Sequence, residues 1–203
     1  LTEDPPMTSE PSIHVFEVMT RDLDGLTDAR GQSAKALLAA DTGLVADEVR
    51  VILGYQVRAD LSEEERDTAV YDLIADPIIE TASYDEALLT SFHNPPDLAI
   101  KVGFKPGVTD NSAQAALDGL TTLFRHHSTA EIATTKTYAI WGPPPESSDI
   151  IAGALHNPMI ESASIASRQD CEKGEWPSLD FPRMNPLPYV LSLIHISEPT
   201  RPY

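Results

Sequence analysis

An internal repeat with a period of about eighty residues constrains the fold of this chain more than any other feature. Residues 25–28 (Gly-Leu-Thr-Asp) recur as residues 107–110 (Gly-Val-Thr-Asp), at an offset of 82 residues. Residues 76–83 recur as residues 157–164 at an offset of 81. A unit of this length is too long for a solenoid repeat and suits a small domain.

A third pair of anchors lies between these two. Glu48 and Tyr55 match Glu131 and Tyr138 at an offset of 83 residues. Three anchors in one order at nearly one offset predict a duplicated domain. The predicted division is a disordered N-terminus at 1–11, a first unit at 12–90, a second unit at 97–168, a proline-rich linker at 169–190 and a tail at 191–203.

The hydrophobic pattern predicts strands and helices in alternation within each unit. Apolar and other residues alternate at 49–57 and at 98–104, which is typical of strands with one buried face. Residues 113–124 carry an apolar stripe with helical spacing. Each unit therefore reads β-α-β-α-β. The predicted fold class is α+β, with antiparallel sheets, helices on one face, and two units paired about a pseudo-two-fold axis.

The second helix of the first unit has clear start and stop signals. Ser62 and Glu65 fit a capping box, in which the serine oxygen accepts from the Glu65 amide and the glutamate reaches back. The helix is expected to end before Pro77, because a residue that precedes proline disfavours helical geometry. Pro158 sets the same limit in the second unit.

The composition excludes several classes of partner. The chain has 14 basic and 32 acidic residues, a net charge of −18, so its field repels nucleic acid and anionic membranes. No apolar run approaches the ~20 residues that span a bilayer. Cys171 is the single cysteine, which fits a reducing compartment, and we expect a cytoplasmic protein.

The tail does not resemble a natural protein sequence. Residues 191–201 look like the in-frame translation of a transposon-type sequencing-library adapter, matching over eleven consecutive codons. We therefore leave 191–203 out of the fold prediction and expect this segment to be disordered. On this interpretation the chain is a fragment of a longer protein.

Three segments carry a resemblance to a known family. Residues 101–111 (Lys-Val-Gly-Phe-Lys-Pro-Gly-Val-Thr-Asp-Asn) resemble the opening of the small subunit of phosphoribosylformylglycinamidine synthase. Residues 73–80 (Leu-Ile-Ala-Asp-Pro-Ile-Ile-Glu) resemble its helix-to-strand junction, and residues 60–65 resemble the start of that helix. The first unit departs from the pattern, because residues 20–25 replace the Lys-Pro-Gly loop.

The resemblance implies a role in purine biosynthesis. The parent reaction converts formylglycinamide ribonucleotide, ATP and glutamine into formylglycinamidine ribonucleotide, ADP, phosphate and glutamate, with ATP and Mg as cofactors of the parent enzyme. The small-subunit domains of that family serve as a scaffold between synthetase and glutaminase. We therefore expect an assembly region, a possible homo-oligomer, that binds the synthetase and glutaminase regions and holds no cofactor of its own.

Four candidate sites are interpreted as structural, so no catalytic, cofactor-binding or metal-binding residue is predicted. Cys171 has acidic neighbours that disfavour its thiolate. His126 and His127 are expected to point apart at a helix end, with no carboxylate at ligand spacing in the sequence. Residues 107–110 could bind an anion at a helix start, but a turn with a capping residue is favoured. Residues 63–65 are expected to be a solvated helix start.

Two other functions remain open from the sequence. A free-standing regulatory module of paired β-α-β-α-β domains could bind a metabolite or a partner at the interface of the units. An independent small enzyme is disfavoured, because no nucleophile, base and stabilising group converge in the sequence. The sequence also leaves open whether the glutaminase is fused or separate.

Overall fold

The computed structural model describes residues 10–142 and 147–183, which form an α+β fold on one six-stranded antiparallel sheet. The elements in chain order are β1 (Ile13–Thr20), α1 (Ala29–Thr42), β2 (Glu48–Arg58), α2 (Glu63–Thr68) with a π-helical continuation (Ala69–Ile74), β3 (Glu80–Tyr84), a 3-10 turn (Leu88–Ser91), β4 (Leu98–Phe104), α3 (Asn111–Leu123), β5 (Glu131–Trp141), α4 (Ser148–Leu155), β6 (Glu161–Ser167) and α5 (Arg168–Glu172).

The sheet joins the two halves of the chain edge to edge. Its strand order is β3-β1-β2-β5-β4-β6, so residues 12–90 supply one half of the sheet and residues 97–168 supply the other. The central strands β2 and β5 pair along their whole length, from Glu48 opposite Trp141 to Arg58 opposite Glu131. This pairing satisfies backbone groups that two separate sheets would leave exposed at their edges. One continuous sheet therefore replaces the two sheets that were predicted.

The alternation in β2 places its apolar side chains under a layer of helices. Val49 and Val51 belong to one buried cluster of this layer and Val57 to a second, because residues two apart lie on one face of a strand. Leu53 and Tyr55 pack against these clusters from the same face. The opposite face of β2 therefore carries the alternate residues, Arg50, Ile52, Gly54 and Gln56.

Each cluster of the helical layer combines residues from both halves of the chain. In the first cluster Leu38 of α1 packs with Ile151 and Leu155 of α4 over the strands. In the second, Val70 of the π-helical segment packs with Leu120 of α3. Leu38, Val70, Leu120 and Ile151 are at most 1% exposed. Neither half could keep its own helices buried without the other.

A third apolar cluster covers part of the opposite face. Ile52 and Ala139 of the central strands contact Leu88 and Leu89 of the 3-10 turn, Cys171 of α5 and the partly buried Trp176. Helices α1 to α4 lie on the predicted face, whereas α5 and the 3-10 turn lie on the other. The 3-10 turn and α5 pack on the second face because this burial removes its apolar side chains from water.

The predicted signals of the second helix are confirmed. The Ser62 oxygen accepts from the Glu65 amide, and the Glu65 side chain accepts from the Ser62 amide. The helix ends at Ile74, with Ala75 extended, and α4 likewise ends before an extended His156. Both ends lie just before the Asp-Pro or Asn-Pro step, as the steric effect of proline requires.

Some predictions lie partly or wholly outside the described residues. These are the tail at 191–203, most of the disordered N-terminus at 1–11 and the last part of the linker at 169–190. Within 10–142 and 147–183, no helix is long and apolar enough to cross a bilayer.

Candidate functional site

A groove of about 900 Å³ lies beside the loop that connects β4 to α3. Its lining comes from residues 105–110 of this loop, from the start of β5 and from residues 179–183. The loop carries the motif on which the family resemblance depends. The groove is therefore the first candidate for a binding or catalytic site.

The loop is shaped by a glycine and an aspartate. Gly107 has a φ of 84°, a left-handed conformation that residues with a side chain rarely adopt. Asp110 caps α3 by accepting from the Ala113 amide at 2.8 Å, and its second oxygen accepts from the Thr134 amide and hydroxyl, each at 2.8 Å. The Asp110 carboxylate thus accepts from the Ala113 amide at the start of α3, to which an anion would otherwise bind. This bond confirms the turn-and-cap interpretation.

Two of the polar side chains that line the groove, Lys105 and Gln56, are engaged within the fold. The Lys105 ammonium donates to the carbonyl of Pro158, which lies between α4 and β6, at 2.5 Å. The Gln56 side-chain amide donates to the Leu179 carbonyl at 2.8 Å. These bonds fix the orientation of both side chains within the fold.

Residues 179–183 are held over the sheet by ring and charge contacts. The Arg58 guanidinium lies 4.2 Å from the centre of the Phe181 ring, a cation–π geometry. Arg183 pairs with Glu10 at 2.7 Å, and this pairing raises the pKa of Arg183 and lowers that of Glu10. One wall of the groove is thus a segment from the predicted linker, folded back on the second face.

Two effects disfavour the Cys171 thiolate, and the sequence indicated only one of them. Its side chain lies in the third apolar cluster and is 3% exposed. Burial, with a smaller contribution from Asp170, raises the pKa of the Cys171 thiol to about 11. The predicted effect of an acidic neighbour is present, but burial is the larger cause. The buried position had no signal in the sequence, which indicated a linker.

The expectation that His126 and His127 point apart, without a carboxylate, is wrong. Glu65 Oε1 lies 2.8 Å from His126 Nε2 and 3.2 Å from His127 Nε2. Their three ligand atoms lie within 4.8 Å of one another. The two histidines sit in a turn after α3, where adjacent side chains can converge, and Glu65 comes from α2 more than sixty residues earlier. Sequence spacing gave no sign of this approach.

The three consecutive glutamates at the start of α2 differ in their exposure and in their role. Glu63 and Glu64 are exposed, as predicted for a solvated helix start, whereas Glu65 is partly buried. The hydrogen bond from the Ser62 backbone amide is the main cause that lowers the pKa of Glu65. Glu65 therefore has a structural role in the cap through Oε2, and its second oxygen, Oε1, contacts the two histidines.

Among the described residues that line the groove there is no cysteine or histidine. The Thr134 hydroxyl donates to the Asp110 carboxylate, but that carboxylate also accepts from the Ala113 and Thr134 amides and so holds α3 to β5. No known family profile matches the chain, and no curated protein gives a significant match to it.

Proposed function

We propose that this chain is the scaffold region of a phosphoribosylformylglycinamidine synthase, built from two tandem small-subunit-like units. In this proposal the chain itself is not catalytic. It holds the synthetase and glutaminase regions, or subunits, of the same enzyme in contact. The observation that supports the proposal is the matching strand register of the two halves, which a duplication of one small-subunit-like unit would produce.

The register of the sheet follows the offsets of the sequence repeat. A shift of 84 residues takes β1 onto β4, a shift of 83 takes β2 onto β5 and a shift of 81 takes β3 onto β6. Phe16 pairs with Tyr55 and Tyr84, and Ile100, its equivalent, pairs with Tyr138 and Ile165. The pairings β1–β2 and β1–β3 of the first half therefore correspond to the pairings β4–β5 and β4–β6 of the second half under the same three shifts.

The helix caps correspond in the same way. Asp28 accepts from the Gly31 amide at 3.0 Å and from the Val51 amide at 3.2 Å. Asp110 makes the equivalent bonds to α3 and β5, as described above. Gly25 also shares the φ of 84° found at Gly107. The first loop thus keeps the geometry of the second, although its sequence departs from the Lys-Pro-Gly pattern.

The helix-to-strand junctions provide a third match. Glu80 accepts from the Asp76 amide at 3.0 Å, and Glu161 accepts from the Asn157 amide at 2.6 Å. These residues belong to the Asp/Asn-Pro-x-Ile-Glu motif that resembles the family. The conserved geometry gives a physical reason for that motif, since the glutamate closes the turn that the proline begins.

The turns at these junctions are suitable points of assembly. Ile78 and Met159 occupy equivalent positions in the two units and are 77% and 83% exposed. Large apolar side chains at such exposure gain free energy when a partner covers them. Two equivalent apolar points, one at each outer part of the sheet, suit a scaffold that contacts two neighbours.

The proposal is tested by reconstitution. The chain is mixed with a synthetase subunit that lacks small-subunit domains and with its glutaminase, and complex formation is followed by sedimentation velocity. We expect a ternary complex with glutamine-dependent synthesis of the amidine product. The double variant Ile78→Glu/Met159→Glu should weaken the complex, whereas Val45→Glu, at a site that is 72% exposed, should not. Failure of the parent chain to bind either subunit would reject the proposal.

A metabolite-binding regulatory module is the second candidate, and the groove of about 900 Å³ is the observation that favours it. A ligand there should raise the melting temperature of the chain in the absence of any subunit. Ser162→Trp would fill the groove and should abolish that shift. Sequencing the source DNA beyond codon 190 separates the two candidates independently, since the scaffold proposal requires a synthetase reading frame or gene nearby.

A further inference from the structure

We propose that Glu65, His126 and His127 form a binding site for a zinc-type divalent transition-metal ion. The site would take one carboxylate oxygen and two imidazole nitrogens from the protein. A fourth position would stay open to water or to another ligand. This inference does not depend on the proposed scaffold function.

The three donor atoms lie within 4.8 Å of one another, near the spacing that a metal ion requires. Glu65 Oε1 is 2.8 Å from His126 Nε2 and 3.2 Å from His127 Nε2. Ligands that lie roughly 2.0–2.1 Å from a tetrahedral zinc ion are separated from one another by roughly 3.3 Å. Small side-chain movements would therefore bring all three atoms into the first coordination sphere. Two imidazoles with one carboxylate are also donors that zinc prefers.

Two of the three ligands are already held in place. The capping box fixes Glu65, since its Oε2 accepts from the Ser62 amide at 2.9 Å and Oε1 is left facing the histidines. His127 closes a turn by donating its amide to the Phe124 carbonyl at 3.0 Å. Its ring lies edge-on to the Phe124 ring, at a centroid separation of 6.3 Å. Such preorganisation lowers the conformational entropy that binding must remove.

The third ligand gives access to the site. The His126 side chain is 67% exposed, whereas those of His127 and Glu65 are 12% and 17% exposed. An ion can therefore enter from the His126 side and keep a solvent ligand there. The net charge of −18 attracts cations to the surface as a whole.

Another histidine–carboxylate contact in the fold shows what distinguishes this cluster. Asp85 contacts His14 at 3.1 Å, but it also pairs with the Arg66 guanidinium at 2.9 Å, which would repel a metal ion. In the part of the chain that the structure describes, the ion-pair partners of Glu65 are the two histidines, with no guanidinium or ammonium group. The Glu65 cluster is therefore the one that suits a cation.

The position of the site gives metal binding a structural consequence. Glu65 belongs to α2 in the first half of the chain, and the histidines follow α3 in the second half. The second apolar cluster lies where these two elements meet. A bound ion would link the halves directly, so it should stabilise the folded chain against unfolding.

The test uses the full chain without an affinity tag, after treatment with a chelator. Zinc binding is measured by calorimetry, and Co²⁺ is added as a spectroscopic probe whose visible absorption reports tetrahedral coordination by nitrogen and oxygen. We expect one ion per chain and a rise in melting temperature with zinc. His127→Gln and His126→Gln should each weaken zinc binding by about tenfold or more.

Glu65→Gln is the sharpest variant, because glutamine can keep the capping box while the charged ligand is lost. Its melting temperature without metal should match the parent, but its zinc affinity should fall. His93→Gln, at an exposed histidine away from the cluster, is the matched control and should bind as the parent does.

Two outcomes would overturn the proposal. The first is unchanged stoichiometry and affinity in the double variant His126→Gln/His127→Gln, which would place bound zinc elsewhere. The second is no detectable binding by the folded parent chain at millimolar zinc, which would leave the cluster as an ion pair alone. Because no synthetase or glutaminase is present, neither outcome bears on the scaffold proposal.

Discussion

Lys101 Nζ of β4 lies 3.2 Å from Glu17 Oε1 of β1, although β2 and β5 separate these strands in the sheet. The Glu17 side chain is 4% exposed and the Lys101 side chain 14% exposed, so the pair spans the covered second face. Glu17 Oε2 also accepts from the Leu88 amide at 2.8 Å. In the proposed duplication Glu17 and Lys101 occupy equivalent positions. Their opposite charges favour pairing of the first unit with the second over pairing of two identical units.

Breaking this pair should destabilise the fold strongly. Lys101→Met leaves the Glu17 carboxylate buried without its counter-charge, and we expect the free energy of unfolding to fall by about 3 kcal/mol. Urea denaturation followed by circular dichroism measures the change. The double variant Glu17→Gln/Lys101→Met should recover more than half of the loss, because the glutamine oxygen can still accept from the Leu88 amide. Equal losses in both variants would contradict this account.

The Asp110 cap should contribute to the stability of the second half. Asp110→Ala removes the acceptor of the Ala113 and Thr134 amides, so we expect a loss of about 2 kcal/mol in the free energy of unfolding. Thermal or urea unfolding checks this value. Asp118→Ala is the control, since the Asp118 carboxylate accepts from the Gln114 side chain on the exposed surface, and the change should cost about 0.5 kcal/mol or less.

Asp97 should make stability depend on pH in the acid range. The hydrogen bond from the Gly142 amide, together with the Arg168 guanidinium at 2.7 Å, lowers the pKa of Asp97 below its ordinary value of 3.8. Its folded pKa is thus below its unfolded pKa. The stabilisation is complete above the unfolded pKa and is lost as pH falls from about 3.8 through the folded pKa.

Melting temperatures measured from neutral pH down to pH 2 test this dependence. The parent chain should lose stability more steeply below pH 4 than Asp97→Asn does, because the amide does not titrate. Asp149→Asn in the first turn of α4 serves as a control for the change of charge alone. Parallel pH profiles for the parent and Asp97→Asn would show that Asp97 does not contribute.

Cys171 should be unreactive in the folded chain. With the thiol pKa raised to about 11, the thiolate fraction at pH 8 is on the order of one in a thousand, and the side chain is also buried. A disulfide reagent at pH 8 should modify the native protein only as fast as it unfolds, and the urea-unfolded protein at once. Glutamine-dependent ammonia release that Cys171→Ala abolishes would refute the inert assignment.

The local elements of this fold were readable from the sequence. Alternating apolar residues predicted β2 and β4, and Ser62 with Glu65 predicted the cap of α2, because strand alternation and helix capping act over a few residues. A turn with a capping residue within 107–110 was predicted for the same reason, and the structure shows that Asp110 is the cap. The ends of the helices before Pro77 and Pro158 also follow from a clash between adjacent residues.

Tertiary structure alone decided which distant residues meet. The sequence did not show that β2 and β5 would join two sheets into one, since an edge can be covered in several ways. Nor did it place Glu65 beside His126 and His127, Lys101 beside Glu17, or Cys171 in an apolar cluster. These contacts depend on how apolar faces from both halves of the chain bury one another, and that packing is a property of the whole chain that local patterns do not encode.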